Sequence, residues 1–410
     1  MIVVVTAGTL VSERSYEMWN VPKYISGDLA LSALIGGVGF LIGLSIFSLR
    51  IRNGQDVPVT VAQSTLVKLD RVTHRMFFVV LASYVAWVLV ARQQGAGPEQ
   101  LLAAIQLKEG AVGDLKDVSA PVGGITTFTQ FAPVVVAVRF LLLRVKFAER
   151  AYEIWIIGAL SLGRAFLYGE RLALIEIVVP LVVILVTVQN GTNRSIGRKR
   201  FGVLPVLALP GLWSVFAIFE YSRSWVYYKT QLTIPYYQFV SERLLGYYMT
   251  AVNNSALYYD AMHNRKYDPL FSFPSLWDSP VIGSLLGPAR AGSNGLRSTW
   301  SYLLSTSGNP EFNNVGTFLV VDADLGTLGA FVYWLALGVG VGYAFYRLRM
   351  QSLVGIVAYS VVFVGLMEMV RIVYWVQGRF IPTLIAVAIV YFVAHSSKEG
   401  AERRGVSLAR

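Results

Sequence analysis

The sequence has no cysteine, 3 histidines, and charged residues at only 14% of its 410 positions. Without cysteine there can be no disulfide, no thiolate metal site and no cysteine nucleophile. The shortage of charge excludes more. A soluble globular domain carries about 25% charged residues, whereas here 55% of residues are hydrophobic and the mean hydropathy is +0.56. No internal repeat is evident, so a solenoid or a two-fold transporter built from matching halves has no support in the sequence.

What is present is a series of long apolar runs. Nine of them, each bounded by charge or turn residues, predict membrane-crossing helices at 29–49, 76–91, 125–143, 154–167, 172–188, 203–219, 325–346, 352–370 and 372–393. The expected fold is therefore an all-α polytopic membrane protein of about nine transmembrane helices. The opening run, residues 1–10, is too short to span and lacks the basic start and cleavage site of a signal peptide. It reads as an N-terminal arm, and residues 1–28 could be the remnant of a further span.

The net charge of +11 would suggest a nucleic-acid partner in a soluble chain. Here its distribution gives another reading. Alternate connections hold Arg50, Arg52, Lys68, Arg71 and Arg75; then Arg144, Lys146 and Arg150; then Arg194, Arg198, Lys199 and Arg200; then Arg347 and Arg349; and the tail adds Lys398, Arg403, Arg404 and Arg410. These segments carry 18 basic against 6 acidic residues, and the rest of the chain is close to neutral. By the positive-inside rule they face the cytoplasm, with the N-terminus outside and the C-terminus inside. The excess charge is an orientation signal; the expected partners are a lipid bilayer and no nucleic acid.

One connection is long. It divides the chain into an N-terminal set of six helices (1–219), a large outer loop (220–324) and a C-terminal set of three helices with a basic tail (325–410). Adjacent tyrosines recur in the loop: Tyr227 and Tyr228, Tyr236 and Tyr237, Tyr247 and Tyr248, Tyr258 and Tyr259. Such pairs suit an interfacial belt or platforms for the C–H faces of sugar rings. Residues 240–261 have helical composition, and residues 268–316, dense in Pro, Gly, Ser and Asn, read as irregular.

Ionisable residues gather at the outer ends of spans. Arg164, Glu170 and Arg171 surround the turn between the fourth and fifth helices, with Glu176 more than a turn deeper. Glu220 and Arg223 close the sixth, and Glu368, Arg371 and Arg379 lie between the last two. Terminal arginines can snorkel to headgroups, which is the expectation for Arg223 and for Arg139. For Arg164, Arg171, Arg371 and Arg379 a second reading competes: arginine grips phosphate bidentately and stays charged when desolvated, so paired outer arginines fit a lipid diphosphate. Asp322-Ala323-Asp324 is an Asp-x-Asp pattern that could hold a metal or could favour a helix N-terminus; with the sugar-nucleotide pool cytoplasmic, no metal is expected. His263, the one outer histidine, is a possible general base or a solvated loop residue. Gly39 with Gly43 and Gly338 with Gly342 have the spacing of close helix contacts.

The hairpin from Ser161-Leu162-Gly163-Arg164 through Glu170-Arg171-Leu172-Ala173-Leu174-Ile175-Glu176 resembles the arginine-containing hairpin of bacterial oligosaccharide repeat-unit polymerases, the Wzy-type O-antigen polymerases. Asn313-Asn314-Val315-Gly316-Thr317-Phe318, with 322–329 leading into the seventh span, is similar to the end of that family's large periplasmic loop. The resemblance implies a GT-C-like glycosyltransferase without cofactor, working at the periplasmic face of the bacterial inner membrane. It would move a growing glycan from undecaprenyl diphosphate onto a new lipid-linked unit, with a chain-length regulator and a flippase as candidate partners. It assigns the diphosphate to Arg164 and Arg171, then to Arg371 and Arg379, and to Arg290 and Arg297 only as outer-loop arginines. Glu170, Glu176, His263 and Asp322 are the catalytic candidates, with Glu220 and Glu368 beside them. A glycan ligase shares this donor chemistry and differs in acceptor, and a flippase or transporter is the alternative from another class.

Overall fold

The computed structural model describes residues 2–49, 60–106, 108, 110–124, 126–147, 149–168, 170–188, 204–263, 271–279, 285, 298–395 and 405–407. In chain order the helices are α1 (Ile2–Leu10), α2 (Glu13–Met18), α3 (Gly27–Ser48), α4 (Gln63–Gln93), α5 (Pro98–Ile105), α6 (Ala111–Val118), α7 (Ala132–Arg144), α8 (Tyr152–Leu167), α9 (Leu172–Thr187) and α10 (Leu204–Glu220). They continue with α11 (Tyr236–Met262), α12 (Pro274–Asp278), α13 (298–307), α14 (Thr317–Arg349), α15 (Leu353–Glu368) and α16 (Phe380–His395). The described residues are otherwise helical turns and loops, apart from a three-residue ribbon in which Thr60–Ala62 pairs antiparallel with Gly405–Ser407. Arg50, Arg52, Arg194, Arg198, Lys199, Arg200, Arg290, Arg297, Lys398, Arg403, Arg404 and Arg410 lie outside the described residues, as does the side chain of Arg223.

The protein is thus all-helical, and four segments are long and apolar enough to cross a membrane: Gly27–Ser48, Gln63–Gln93, Thr127–Arg144 and Thr317–Arg349. Helices α9, α15 and α16 are apolar but 16 residues long, about 24 Å of helix against a hydrocarbon core of about 30 Å.

Several boundaries differ from those expected. Helix α4 starts at Gln63 rather than 76, carrying Lys68, Arg71 and Arg75 as part of the helix. The connection after it contains α5 and α6. Residues 372–379 are not helical except for a 3-10 turn at Tyr374–Val376, so the last helix begins at Phe380. The reason is packing: Trp375 is buried, stacks on Phe40 at 5.9 Å and lies against Gly365, where no side chain would fit. The loop segment read as irregular contains α13, because Trp300 and Leu304, one turn apart, bury with Leu257, Tyr258 and Met262.

The chain forms two compact units that cut across the linear division: Met1–Gly54, Arg243–Arg349 and Gly365–Ile381 make the first, and Gln55–Glu242, Met350–Val364 and Pro382–Arg410 the second. In the first unit, α3 runs along α14 with almost no space between backbones. A Cβ on Gly39 would stand 2.7 Å from the Phe331 carbonyl oxygen, and one on Gly342 would stand 2.8 Å from that of Leu44. Gly43 and Gly338 meet backbone still more closely, so the two glycine pairs set the approach that small residues allow in membrane helices. Trp334 is fully buried at this seam, stacked on Phe318 at 4.3 Å.

The N-terminal arm is fixed to the same unit. Lys23 Nζ donates to the carbonyls of Thr9 and Val11 at 2.7 and 2.8 Å, closing the C-terminal end of α1, where helix carbonyls lack partners. Asn253, fully buried on α11, accepts from the amides of Tyr24 and Ile25 and donates to the Pro22 carbonyl; its neighbour Asn254 donates to the carbonyls of Phe312 and Asn314. These two amides replace the backbone partners that irregular buried chain would otherwise lack.

In the second unit, α7 is the central helix. Val134 to Val138, Leu141 and Leu142 are buried, as expected for a helix apolar on all sides and packed by α4, α8 and α9. Pro180 inside α9 and Pro210 inside α10 remove helical hydrogen bonds.

Candidate functional site

The α8–α9 hairpin places Arg164 at the end of one helix and Arg171 at the start of the next. Arg164 is 8% exposed. Its Nη2 and Nε reach Glu170 Oε2 at 2.8 and 3.0 Å, and Nη1 donates to Thr129 Oγ1 at 2.9 Å. With its amide oxygen turned toward the arginine, Gln130 accepts from Arg164 Nη1 at 3.1 Å and donates to Glu176 Oε2 at 3.3 Å. Thr129 and Gln130 come from the 3-10 turn Thr127–Phe131 that leads into α7. The hairpin guanidinium is therefore desolvated and held in one orientation.

Arg171 pairs with Glu220 and lies over the Phe216 ring at 4.1 Å. Glu220 is fully buried at the end of α10 and accepts from Ser224 Oγ at 2.6 Å. It immediately precedes a π-helical turn, Tyr221–Trp225, a distortion frequent at functional sites. Tyr236, whose hydroxyl donates to the Ala217 carbonyl, is pushed up to about 12 by burial and then by the Glu220 carboxylate, with Arg171 acting in the opposite sense.

At the other end of α8 the same unit contains a second arginine network. Arg139 is fully buried and does not snorkel: Nε donates to Glu153 Oε2 at 2.8 Å and Nη1 to Asp70, whose other oxygen takes Arg150 at 3.1 Å. His74 Nδ1 lies 2.7 Å from Glu153 Oε1. The fully buried Glu153 and the partly exposed Asp70 fix this arginine within the bundle, which is why it does not extend toward a headgroup.

In the first unit, Arg371 Nη1 pairs with Glu368 at 3.0 Å and its guanidinium lies 5.8 Å from the Tyr247 ring. Burial raises Tyr248, and Glu368 adds to that effect while Arg371 opposes it. Arg379 has its Nε buried. Arg164 and Arg171 thus belong to one unit, Arg371 and Arg379 to the other.

The two aspartates of the Asp-x-Asp pattern differ. Asp324 Oδ1 accepts from Tyr258 Oη at 2.7 Å, and Oδ2 takes the amides of Phe271 and Ser272 and the Ser272 hydroxyl at 2.8–3.1 Å. Asp322 is 3% exposed and its Oδ2 has no hydrogen-bond partner. Two residues apart on a helix, the carboxylates diverge by about 200°, so they cannot share one metal ion. Helix α14 breaks at Gly326 (φ 72°, ψ 166°), a conformation reserved for glycine, and Thr327 beyond the break stands beside the Asp322 carboxylate. Asp322 lies within α14, four residues before that break and not at the start of the helix.

His263 is exposed at the end of α11; its Nδ1 lies 2.7 Å from the Tyr259 carbonyl oxygen, and its ring is parallel to that of Tyr259 at 4.9 Å. Burial raises Tyr259, and the Asp322 and Asp260 carboxylates add to the shift. The adjacent tyrosines also divide by helix face: Tyr258 is buried and Tyr259 partly open.

Thr129, Gln130, Ser224 and Asn253 were not legible as site residues, whereas Tyr236 and Tyr259 were read only as members of the tyrosine pairs. Thr129 and Gln130 carried a weak signal, as polar residues at the start of an apolar run. No family model, curated protein or solved structure matches the chain.

Proposed function

We propose that this protein is a bacterial inner-membrane polymerase that joins polyprenyl-diphosphate-linked oligosaccharide repeat units into O-antigen, capsule or exopolysaccharide. One observation carries the reading: Arg164 and Arg171 flank a single hairpin turn, each largely withdrawn from water and each held on a carboxylate. A guanidinium pair fixed in this way is preorganised for the negative charge that develops on a diphosphate as it leaves an anomeric carbon. A diphosphate bound here would compete with Glu170 and Glu220 for the two guanidiniums. In this reading nine helices cross the membrane, the N-terminus lies outside, the C-terminus is cytoplasmic, and residues 220–324 form the periplasmic loop.

The test is elongation. Purified protein given a synthetic polyprenyl-diphosphate oligosaccharide is expected to form lipid-linked chains of several repeats in the presence of a chelator. Transfer of single repeats to lipid or protein acceptors would make the protein a ligase. Movement of intact lipid-linked units across vesicles, without new glycosidic bonds, would make it a flippase.

A further inference from the structure

The guanidinium of Arg164 divides into two parts that meet different kinds of partner. Its Nε and Nη2 both reach Glu170 Oε2, and Glu170 belongs to the non-helical turn with its side chain 17% exposed. Nη1 instead donates to Thr129 Oγ1 at 2.9 Å and, with the amide oxygen turned toward it, to Gln130 at 3.1 Å. Both of these acceptors are buried and neutral. An uncharged acceptor satisfies a desolvated guanidinium without cancelling its charge. The anchor is fixed in turn: Thr129 Oγ1 donates its own proton to the Thr126 carbonyl at 2.8 Å, and the Gln130 carbonyl oxygen accepts from Thr383 Oγ1 on α16 at 2.8 Å. The Gln130 side-chain amide donates to the buried Glu176 at 3.3 Å, and that contact sets its orientation. Turned over, the amide would face the guanidinium with N–H groups and the carboxylate with an oxygen. Gln130 also stands as a neutral spacer between Glu176 and the arginine, whereas Glu153 closes Arg139 directly. All of these residues belong to the second unit.

We propose that Thr129 and Gln130 are positioning residues for a phosphoryl group: they hold the Nη1 end of Arg164 while its Nε–Nη2 edge exchanges Glu170 for oxygens of the polyprenyl diphosphate. The inference rests on the polymerase reading and adds to it the residues that aim its arginine. The Nε–Nη2 edge offers two parallel N–H donors, the geometry that takes a phosphoryl group as readily as a carboxylate. Exchange then needs a movement of the turn that carries Glu170. Nη1 keeps both of its partners throughout, so the guanidinium is not reoriented as charge develops on the leaving diphosphate.

The experiment compares Thr129→Val, Thr129→Ser and Gln130→Met in the full-length protein. Three readouts are used: affinity for fluorescent polyprenyl diphosphate, elongation, and thermal unfolding, which shows that the variants compared are folded. Thr129→Val keeps the shape and removes the acceptor, so affinity is expected to fall by about tenfold, and elongation with it. Thr129→Ser keeps the oxygen and lacks the methyl group. It is expected to recover most of that loss, the reverse of what a packing role for the methyl group would give. Gln130→Met should weaken binding to a similar degree, and should either apolar variant fail to fold, the other decides together with Thr129→Ser. In an Arg164→Lys background, which has no Nη1, Thr129→Val should have little further effect. Wild-type affinity in both apolar variants, equal losses in Thr129→Val and Thr129→Ser, or a loss from Thr129→Val that is undiminished in the Arg164→Lys background would overturn the inference and leave the polymerase standing. If wild type binds the diphosphate in this Thr129-dependent way but forms no chains, the polymerase reading falls and the anchored arginine stands. If wild type does not bind the diphosphate, the inference falls whatever the elongation assay shows.

Discussion

Arg139 and Arg164 lie in the same unit, on neighbouring helices, and both are nearly closed to solvent, yet their counterions differ in kind. Arg139 is answered by Asp70 and Glu153, carboxylates rooted in α4 and α8 whose oxygens are also taken by Arg150 and His74. Arg164 is answered by Glu170, a residue of the non-helical turn with its side chain 17% exposed. A helix-borne carboxylate can leave its partner only if the bundle opens. A turn-borne carboxylate can be exchanged for a ligand by a local movement. Burial of an arginine therefore does not by itself mark function; how its counterion is anchored separates a structural clamp from a site poised to bind an anion.

The largest expected effect breaks the clamp. Arg139→Ala leaves Glu153 buried without its main partner, and removal of one member of a buried pair costs about 3–5 kcal/mol. Loss of the folded protein in detergent, read by size exclusion and thermal unfolding, is the expected outcome; a normal unfolding profile would show that the network is not structural. Arg164→Ala should behave in the opposite way, folding normally while elongation falls by about 100-fold or more, the usual loss when a preorganised charge-stabilising donor is removed; Arg171→Ala, which leaves the fully buried Glu220 of α10 without its ion-pair partner, is expected to lose elongation and stability together. Arg164→Lys should recover little, since a point ammonium cannot replace two parallel N–H donors. Normal chain lengths in both alanine variants would remove the diphosphate role.

This contrast also shows what could be read from residue order. The all-helical character, the hairpin and a close helix contact at each glycine pair were legible, because apolar runs, Arg164 with Arg171, and glycines at spacing four are local patterns; that the two pairs meet each other between α3 and α14 was not. The Arg139 clamp was not, since Asp70, Arg139 and Glu153 are far apart in sequence and charge near a span end reads equally well as snorkelling. The same limit applied to the carboxylates. Asp322 and Asp324 looked equivalent in an Asp-x-Asp pattern, and only the fold brings Tyr258, Phe271 and Ser272 to one and leaves an oxygen of the other unpaired. The break at Gly326 was hidden by a hydrophobic run that continues across it.

A smaller effect sharpens the comparison at Glu170. The hairpin set carries Glu170, Glu176 and Glu220 against two guanidiniums, so a diphosphate has to displace a carboxylate before it can be held. Glu170→Gln keeps the shape and removes the competing charge. Donor affinity is expected to rise several-fold, measured by titration of fluorescent polyprenyl diphosphate, with elongation kept within about tenfold of wild type. A collapse of elongation at unchanged affinity would instead make Glu170 the acid or base that the sequence alone allowed it to be.

The smallest effect concerns the Arg171 corner and follows from Tyr236. Burial and the neighbouring Glu220 favour the neutral phenol, raising its titration from the usual value of 10 to about 12. A group raised in the folded state contributes stability that is complete below the unfolded value and is lost as pH climbs toward the folded one, so this contribution fades between pH 10 and about 12. Ionisation would remove the proton that Tyr236 donates to the Ala217 carbonyl and place a second negative charge beside Glu220. Tyr236→Phe lacks that proton at every pH. Its unfolding temperature should be slightly below that of wild type at neutral pH and should converge with it as pH climbs from 10 toward about 12, where wild type loses the same bond. A constant difference across that range would mean that Tyr236 supports the corner through its ring against Tyr221 and Trp225, and that the hydroxyl contributes nothing to holding Arg171 in place.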